Sequence, residues 1–449
     1  MELLQQSKAI FYHPCNDETE YLKTQDWTET TPTYAAGKVS DALFPTAGDP
    51  AFGAEAEFMS AGNADCNSAA ALSASSFVVA YRDVADSNHG TARVGTVSGT
   101  DIAFGTEAEF LSADGVAYIS VAAIDATKFV VAYSDFPDSG HGTAKIGIVA
   151  GTAITFYAEA EFLSAGTAYY NSVAVLDVTG ASAKFVVAYT DGADSWHGTA
   201  KIGTVDGTAI TFYAEAEFRA GGAADYISAA ALGASKFVVA YRDNDDSNHG
   251  TAKVGTVGGT DITFGPEAEF NSAGTASFIS AAALGATKFV VAYQDVADSF
   301  HGTARVGTVG GTDITFGAEA EFLSADGVYY VSAAALDSSK FVVAYMDNAD
   351  SSHGTAKVGT VSGTDVAFGA EAEFQGAGRA DHISAAALSA TDFVVAYSDD
   401  VDASHGTAKV GTLPAPAASL AASTPAAYDS ADAAAKVAFC GWFRKPSAS

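Results

Sequence analysis

Short apolar runs separated by clusters of glycine, serine, aspartate and threonine fill the chain from residue 51 to residue 413. One stretch reads YISVAAID (118–125), KFVVAYSD (128–135), TAKIGIV (143–149) and ITFYAEAEF (154–162). Each run is short, rich in β-branched, aromatic or alternating apolar residues, and bounded by turn formers, so the pattern predicts four strands, A to D. The set recurs. Aligned on its His-Gly dipeptides, the sequence places His89, His141, His197, His249, His301, His353 and His405 at steps of 52, 56, 52, 52, 52 and 52 residues. The longer step comes from LDVTGASAKF (176–185), which stands where the preceding copy has IDATKF (124–129) and reads as a longer hairpin loop. A period near 50 residues built of four short strands is the signature of a β-propeller, one blade per repeat. Strand A, mostly Ala and Ser, suits the crowded axis, whereas the Phe, Val and Tyr of strand B can fill the space between blades.

The count of strands also predicts how the ring closes. The first FGAEAEF (52–58) precedes any strand A, and the seventh copy stops after its strand C at GTAKVGTL (406–413). Ala51–Phe58 is therefore expected to pair with Lys409–Leu413 as the outer strand of the last blade, which removes two open sheet edges.

Residues 1–48 and 414–449 lack the repeat. They contain AIFYHPCNDETEY (9–21), AGKVSDAL (36–43), a Pro/Ala linker LPAPAASLAASTPAA (413–427), and KVAFCGWFRKPS (436–447). These pieces resemble the opening strands of a concanavalin-like or laminin-G-like jelly roll. The resemblance implies an all-β chain in which a seven-bladed propeller, 49–413, is inserted in a loop of a partial jelly-roll segment whose parts are 1–48 and 414–449. Such a sandwich would still need most of its strands beyond Ser449, supplied by a longer chain or by partner segments. The repeat units themselves are similar to repeats in uncharacterised extracellular or phage-encoded bacterial proteins, which carry no catalytic motif.

Charge narrows the partners. The chain has 54 acidic against 22 basic residues, a formal charge of −32, and this excludes the clustered Lys and Arg that counterion-release binding to nucleic acid requires. It suits a soluble surface in salty or divalent-rich surroundings, outside the cell. No apolar run approaches the ~20 residues of a membrane-spanning helix, and MELLQQSKAI (1–10) lacks the order of a signal peptide. Cys15, Cys66 and Cys440 have no metal-ligand spacing and form no disulfide framework.

Candidate chemistry centres on the B–C turn, which reads Asp, two variable residues, Asp, Ser, one variable residue, His, Gly in most copies. Aspartate and serine capping their own backbone, glycine at positive φ and histidine bonded across the hairpin would explain the pattern as turn chemistry. The paired carboxylates Asp83/Asp86, Asp135/Asp138 and Asp243/Asp246 are alternatively calcium ligands, although the spacing is not that of an EF-hand loop. One imidazole per loop speaks against zinc. Strand D carries two glutamates, such as Glu107 and Glu109, and strand C one cation, such as Arg93 or Lys145, which the C–D hairpin should bring together as a solvated rim. Seven alike acid pairs do not make a glycosidase, DSxHGTA does not match the sialidase Asp-box, and the arginines (Arg82, Arg93, Arg219, Arg242, Arg305, Arg379) are scattered. No GxSxG, HExxH or phosphate loop occurs.

The variable positions carry more information. The residue before His-Gly is Asn88, Gly140, Trp196, Asn248, Phe300, Ser352 and Ser404, and the D–A loops end in Asp65, Ala117, Tyr169, Asp225, Ser277, Tyr329 and Asp381. Alternating strand direction puts B–C turns and D–A loops on one face. The sequence thus points to a non-enzymatic surface-binding module, adhesin-like or receptor-binding, that recognises carbohydrate with Trp196, Tyr169, Phe300 and Tyr329 as stacking platforms and Asp191, Asp194, Asp295 and Asp298 as hydroxyl acceptors. The alternative is a structural subunit of a virion or extracellular filament, assembled with other copies through the terminal pieces.

Overall fold

Strand B repeats F-V-V-A-Y, and in every blade these five residues are buried, because the two faces of each sheet pack against neighbouring sheets rather than water. The computed structural model describes residues 49–414, apart from 114 and 181, together with the backbone of 10–12 and 22–24. Seven antiparallel sheets follow one another, each in the order A-B-C-D. In the first blade the strands are Ala64–Ser73, Ser76–Asp83 and His89–Ser98, with the outer strand split into Asp101–Phe104 and Ala108–Leu111. Both outer pieces pair with strand C. Only in the third blade is the outer strand unbroken, over Ala209–Arg219. The extra residues of that blade lengthen its A–B hairpin, Ala168–Thr179 pairing with Ser182–Asp191, as the spacing anticipates.

The ring closes as the strand count requires, with a register that extends further along strand C than expected. Ala51 and Phe52 oppose Thr412 and Gly411, and Ala56, Glu57 and Met59 oppose Ala408, Thr407 and Gly406. Blade 7 therefore combines chain from both ends of the ring.

Three repeated contacts join blade to blade. Each strand-B tyrosine lies on the strand-D phenylalanine of the preceding blade, as in Phe110–Tyr133 and Phe58–Tyr81, both with ring centroids 5.0 Å apart. The strand-C cation meets its strand-D glutamate, as with Lys145 and Glu159 at 3.2 Å, and Arg93, Lys145, Arg305 and Lys357 also donate to a carbonyl of the blade before, Lys145 Nζ to Phe110 O at 2.7 Å. Around the axis, a serine of each strand A accepts a hydrogen bond from a backbone N–H of the next blade. The circuit runs through Ser68, Ser120, Ser172, Ser228, Ser280, Ser332 and Ser384 and returns to Ala69, with all seven bonds between 2.9 and 3.0 Å. Small residues on strand A thus do more than avoid collision, since the serine hydroxyl replaces the ladder bonds that converging blades cannot make to one another.

The jelly-roll pieces expected at 1–48 and 414–449 lie outside the described residues, except for an antiparallel ribbon pairing Ile10–Tyr12 with Leu22–Thr24. Among the described residues no helix is long and apolar enough to cross a membrane.

Candidate binding face

The B–C turn is built from its own side chains. Strand B ends on the first aspartate and strand C opens on the histidine, and the two are register partners, as in Asp191↔His197 and Asp295↔His301. The first carboxylate is buried and accepts backbone N–H groups of the turn. Asp191 Oδ1 takes those of Ala193 and Asp194 at 2.8 and 3.2 Å, and Asp295 Oδ1 those of Ala297 and Asp298 at 3.1 and 3.3 Å. Asp83, Asp135 and Asp243 do the same toward Asp86, Asp138 and Asp246. Burial pushes the carboxyl groups of Asp135 and Asp191 above their ordinary range, against the turn amides that favour the charged form. The second aspartate of each turn, Asp86, Asp138, Asp194, Asp246 and Asp298 among them, is exposed and faces the histidine. Each pair expected to act jointly, on calcium or on sugar hydroxyls, is thus divided between an inner and an outer position.

The positive φ falls elsewhere than expected. The glycine of His-Gly does not adopt it; a Cβ on Gly198 would lie 2.3 Å from the ring of Phe218, so glycine is required there for close packing. The left-handed residues are the two before histidine: Ser195 and Trp196 at φ 53° and 65°, Ser299 and Phe300 at 54° and 65°. Asn88, Asn248 and Gly140 occupy the same position in other blades, the residue types that tolerate this region at least cost. A bulky aromatic does not belong there on backbone grounds.

Both aromatics are also exposed, Trp196 at 47% and Phe300 at 44%. Trp196 lies over Tyr169 of its own blade, with centroids 4.9 Å apart and planes 34° from parallel, and Tyr169 meets Tyr118 edge-on at 5.4 Å. Phe300 and Tyr329 both approach Gly327: a Cβ there would be 3.1 Å from Phe300 Cβ and 3.5 Å from Tyr329 Cε2. The structure therefore stacks one expected pair, Trp196 on Tyr169 in blade 3, whereas Phe300 of blade 5 and Tyr329 of blade 6 approach the same glycine and the Tyr329 ring meets Phe278, at 5.6 Å. Of the eight exposed large hydrophobic residues among those described, five lie in B–C turns: Val84, Phe136, Trp196, Phe300 and Val401. Phe136 was not anticipated, because it occupies the second position of its turn rather than the one before histidine.

A further ring of aromatics lies inward of these turns. The third residue of each strand A, Cys66, Tyr118, Tyr170, Tyr226, Phe278, Tyr330 and His382, has φ between 49° and 54°. From Tyr118 to His382 successive rings stand 5.1–5.5 Å apart, forming a half-buried collar about the axis. Asp65, Tyr169, Tyr329 and their equivalents belong to strand A and not to the loop before it, since strand A starts one residue earlier, at Ala64, Ala168 or Val328. The left-handed residue that follows breaks the alternation by which a strand is recognised. The one sequence signal was an aromatic recurring at the repeat period. Arginines that look scattered in the sequence gather here: Arg82 pairs with Asp65 and Arg242 with Asp225, each at 2.5 Å, and Arg379 with Asp381 at 2.7 Å. Arg242 also lies over the Tyr226 ring at 4.7 Å. Burial holds the His382 imidazole below its ordinary pKa, outweighing the neighbouring Asp65.

No family model and no curated protein matches the sequence. Among solved structures, the chain is similar to the BP39L lectin from Burkholderia pseudomallei, at TM-score 0.53 and 13% identity over 80% of this chain and 99% of that one. A fucose-specific lectin from Aleuria aurantia is similar at TM-score 0.44 and 12% identity, covering 70% of this chain and 96% of that one. A prolyl endopeptidase is similar at TM-score 0.45 and 14% identity, over 76% of this chain and 46% of that one. At these identities the likeness is one of fold: the chain is an all-β, seven-bladed propeller of tandem repeats.

Proposed function

We propose that this propeller is a non-enzymatic, extracellular glycan-binding module, adhesin-like or receptor-binding, which engages carbohydrate through the face bearing the B–C turns. The observation that carries the reading is the pair of exposed aromatics at left-handed φ, Trp196 and Phe300. Holding such a residue there costs about 1–2 kcal/mol, and exposure recovers little of it through burial. The apolar face of a pyranose stacks on an aromatic ring, and its hydroxyl rim needs acceptors, which Asp194 and Asp298 offer at the surface, while Asp191 and Asp295, buried beneath the turn, hold its shape. That the Burkholderia propeller of like fold is a lectin supports the same reading. Each site is shallow and weak, near millimolar, and attachment comes from several sites engaging one polymer. Segments 1–48 and 414–449 are read as jelly-roll pieces that contact other copies.

The test substitutes Trp196→Ala and Phe300→Ala, alone and together, and measures binding to a glycan array and to cells. Loss of binding with an unchanged melting profile is expected. If adhesion survives in the folded double variant, this face is not the site, and the structural-subunit reading, a spacer or decoration on a virion or filament, takes its place.

A further inference from the structure

The seven histidines of the His-Gly dipeptides share an unusual setting. In every one, Nδ1 is shielded from solvent and has no hydrogen-bond partner. Two carboxylates face it. His197 Nδ1 lies 3.5 Å from Asp194 Oδ2, of its own turn, and 3.6 Å from Glu217 Oε2, which comes from strand D. His249 stands at 3.6 Å from both Asp246 and Glu269. Over all seven blades these separations stay between 3.3 and 3.9 Å. The three atoms of each group also lie within 4.8 Å of one another.

Hydrogen bonding does not account for this arrangement. The distances exceed the 2.7–3.2 Å range of N–H···O bonds, and one N–H shared between two carboxylates at such lengths would hold neither well. If Nδ1 instead presents its lone pair, three electron-rich atoms converge on one point. A cation at that point removes the conflict. Ligands held at about 2.1 Å in a tetrahedral arrangement are about 3.4 Å apart, which matches the observed spacing. One imidazole nitrogen and two carboxylate oxygens suit a borderline divalent ion of the zinc class, whereas calcium takes six to eight oxygens at longer range.

We infer that each blade carries a divalent transition-metal site formed by the histidine opening strand C, the second aspartate of the B–C turn and the second glutamate of strand D, seven sites in the ring. Water completes the coordination, since the aspartate and glutamate are open to solvent. The set differs from the paired-aspartate calcium loop suggested by the sequence: the buried first aspartate is replaced by residues from strands C and D. One imidazole per loop speaks against zinc only while the loop is taken alone; strand D brings a glutamate to the same point. A bound ion ties the turn to two strands, holding in place the loop that carries Trp196 and Phe300. The inference does not depend on what that face binds.

The experiment equilibrates the full chain with an excess of zinc chloride and counts bound ions after removing free metal. Seven ions are expected from the ring, with a higher melting temperature than in chelator. Counts are then compared with those of His197→Gln and Glu217→Gln, each expected to lose one ion; Glu217 is partly exposed, so its amide preserves the fold if the histidine variant does not. An anomalous-scattering map from a zinc-soaked crystal should place a peak between His197, Asp194 and Glu217. Unchanged stoichiometry in both variants, or less than one ion per chain, overturns the proposal. Saturation by calcium that is indifferent to His197→Gln overturns it in favour of the paired-aspartate loop.

Discussion

Phe58→Ala tests how the ring is held shut. The Phe58 ring is fully buried, 5.0 Å from Tyr81 and 5.9 Å from Phe104, and its edge covers Gly406, where a Cβ would come within 2.2 Å. Phe110 is its counterpart one blade on, equally buried, with Tyr133 at 5.0 Å and Phe156 at 5.7 Å. Removing either ring should cost about 3–5 kcal/mol in transfer and cavity terms. With an unfolding entropy of ~2.1 cal/mol/K per residue over the roughly 370 residues of the ring, that lowers Tm by about 4–6 °C. The two variants should nevertheless differ. The strand bearing Phe110 is tied by a hairpin to the strand C it covers, whereas the strand bearing Phe58 is joined to strand C of blade 7, His405–Thr412, by register alone. Phe58→Ala should therefore let Ala51–Met59 peel away and leave His405–Thr412 as an open edge that pairs with other copies. Calorimetry should show a larger fall for Phe58→Ala than for Phe110→Ala, and light scattering should show concentration-dependent association in the former only. Equal melting temperatures with both variants monomeric would refute closure by this strand.

The axial circuit, the collar and the turns make their own predictions. Ser228→Ala leaves the Ala281 N–H without its 2.9 Å acceptor, at a cost of about 1–3 kcal/mol, and the Ala281 amide should lose hydrogen-exchange protection; unchanged protection would show that the serine circuit is incidental. His382, with a folded pKa below the unfolded value of about 6.5, makes the unfolded state bind more protons, so its contribution to stability declines as pH falls below about 6.5. His382→Phe removes that decline, and the stability gap between variant and wild type should move in favour of the variant between pH 8 and pH 5; a constant gap would contradict the burial argument. Gly140→Ala forces alanine to φ +80° with its Cβ 2.5 Å from Thr167 Oγ1, and should lower stability by at least the ~1–2 kcal/mol of left-handed strain; an unchanged Tm would count against the turn geometry.

The blade architecture was legible because each strand is repeated seven times with its turn residues, so that period, strand count and closure follow from spacing alone. What stayed hidden depends on residues that are remote in sequence meeting across strands. Glu217 is twenty residues from His197 and reaches the imidazole beside a break in register between Gly198 and Thr199 that the sequence does not announce. The collar was hidden for a local reason. A left-handed residue at position three of strand A, tyrosine in most blades, shifts the face on which later residues point, and a run such as ADYISAAAL reads as a weak strand preceded by a loop. The glycine of His-Gly was assigned to the wrong physical cause, because sequence shows that a Cβ is absent without showing whether φ or a neighbouring ring demands it.

The repeats also separate what folding requires from what it does not. At the position before histidine the backbone is left-handed in every blade, and asparagine, glycine and serine fill five of the seven copies. The asparagines and the glycine adopt this conformation at modest cost, and the serines, though strained, expose no large apolar surface. Trp196 and Phe300 run against the same backbone preference, and their exposure means that the interior of the propeller gains little from them in return. The Tyr169 ring beneath Trp196 offsets part of that strain, by about 0.5–1.5 kcal/mol for an aromatic pair, whereas the Phe300 ring stacks on no other ring among the described residues. Left-handed aromatics also occur at position three of strand A, but there the rings are half-buried against one another, whereas at two of the seven equivalent turns the strained aromatic is exposed. The proposed function gives those two a reason, a ligand that stacks on rings.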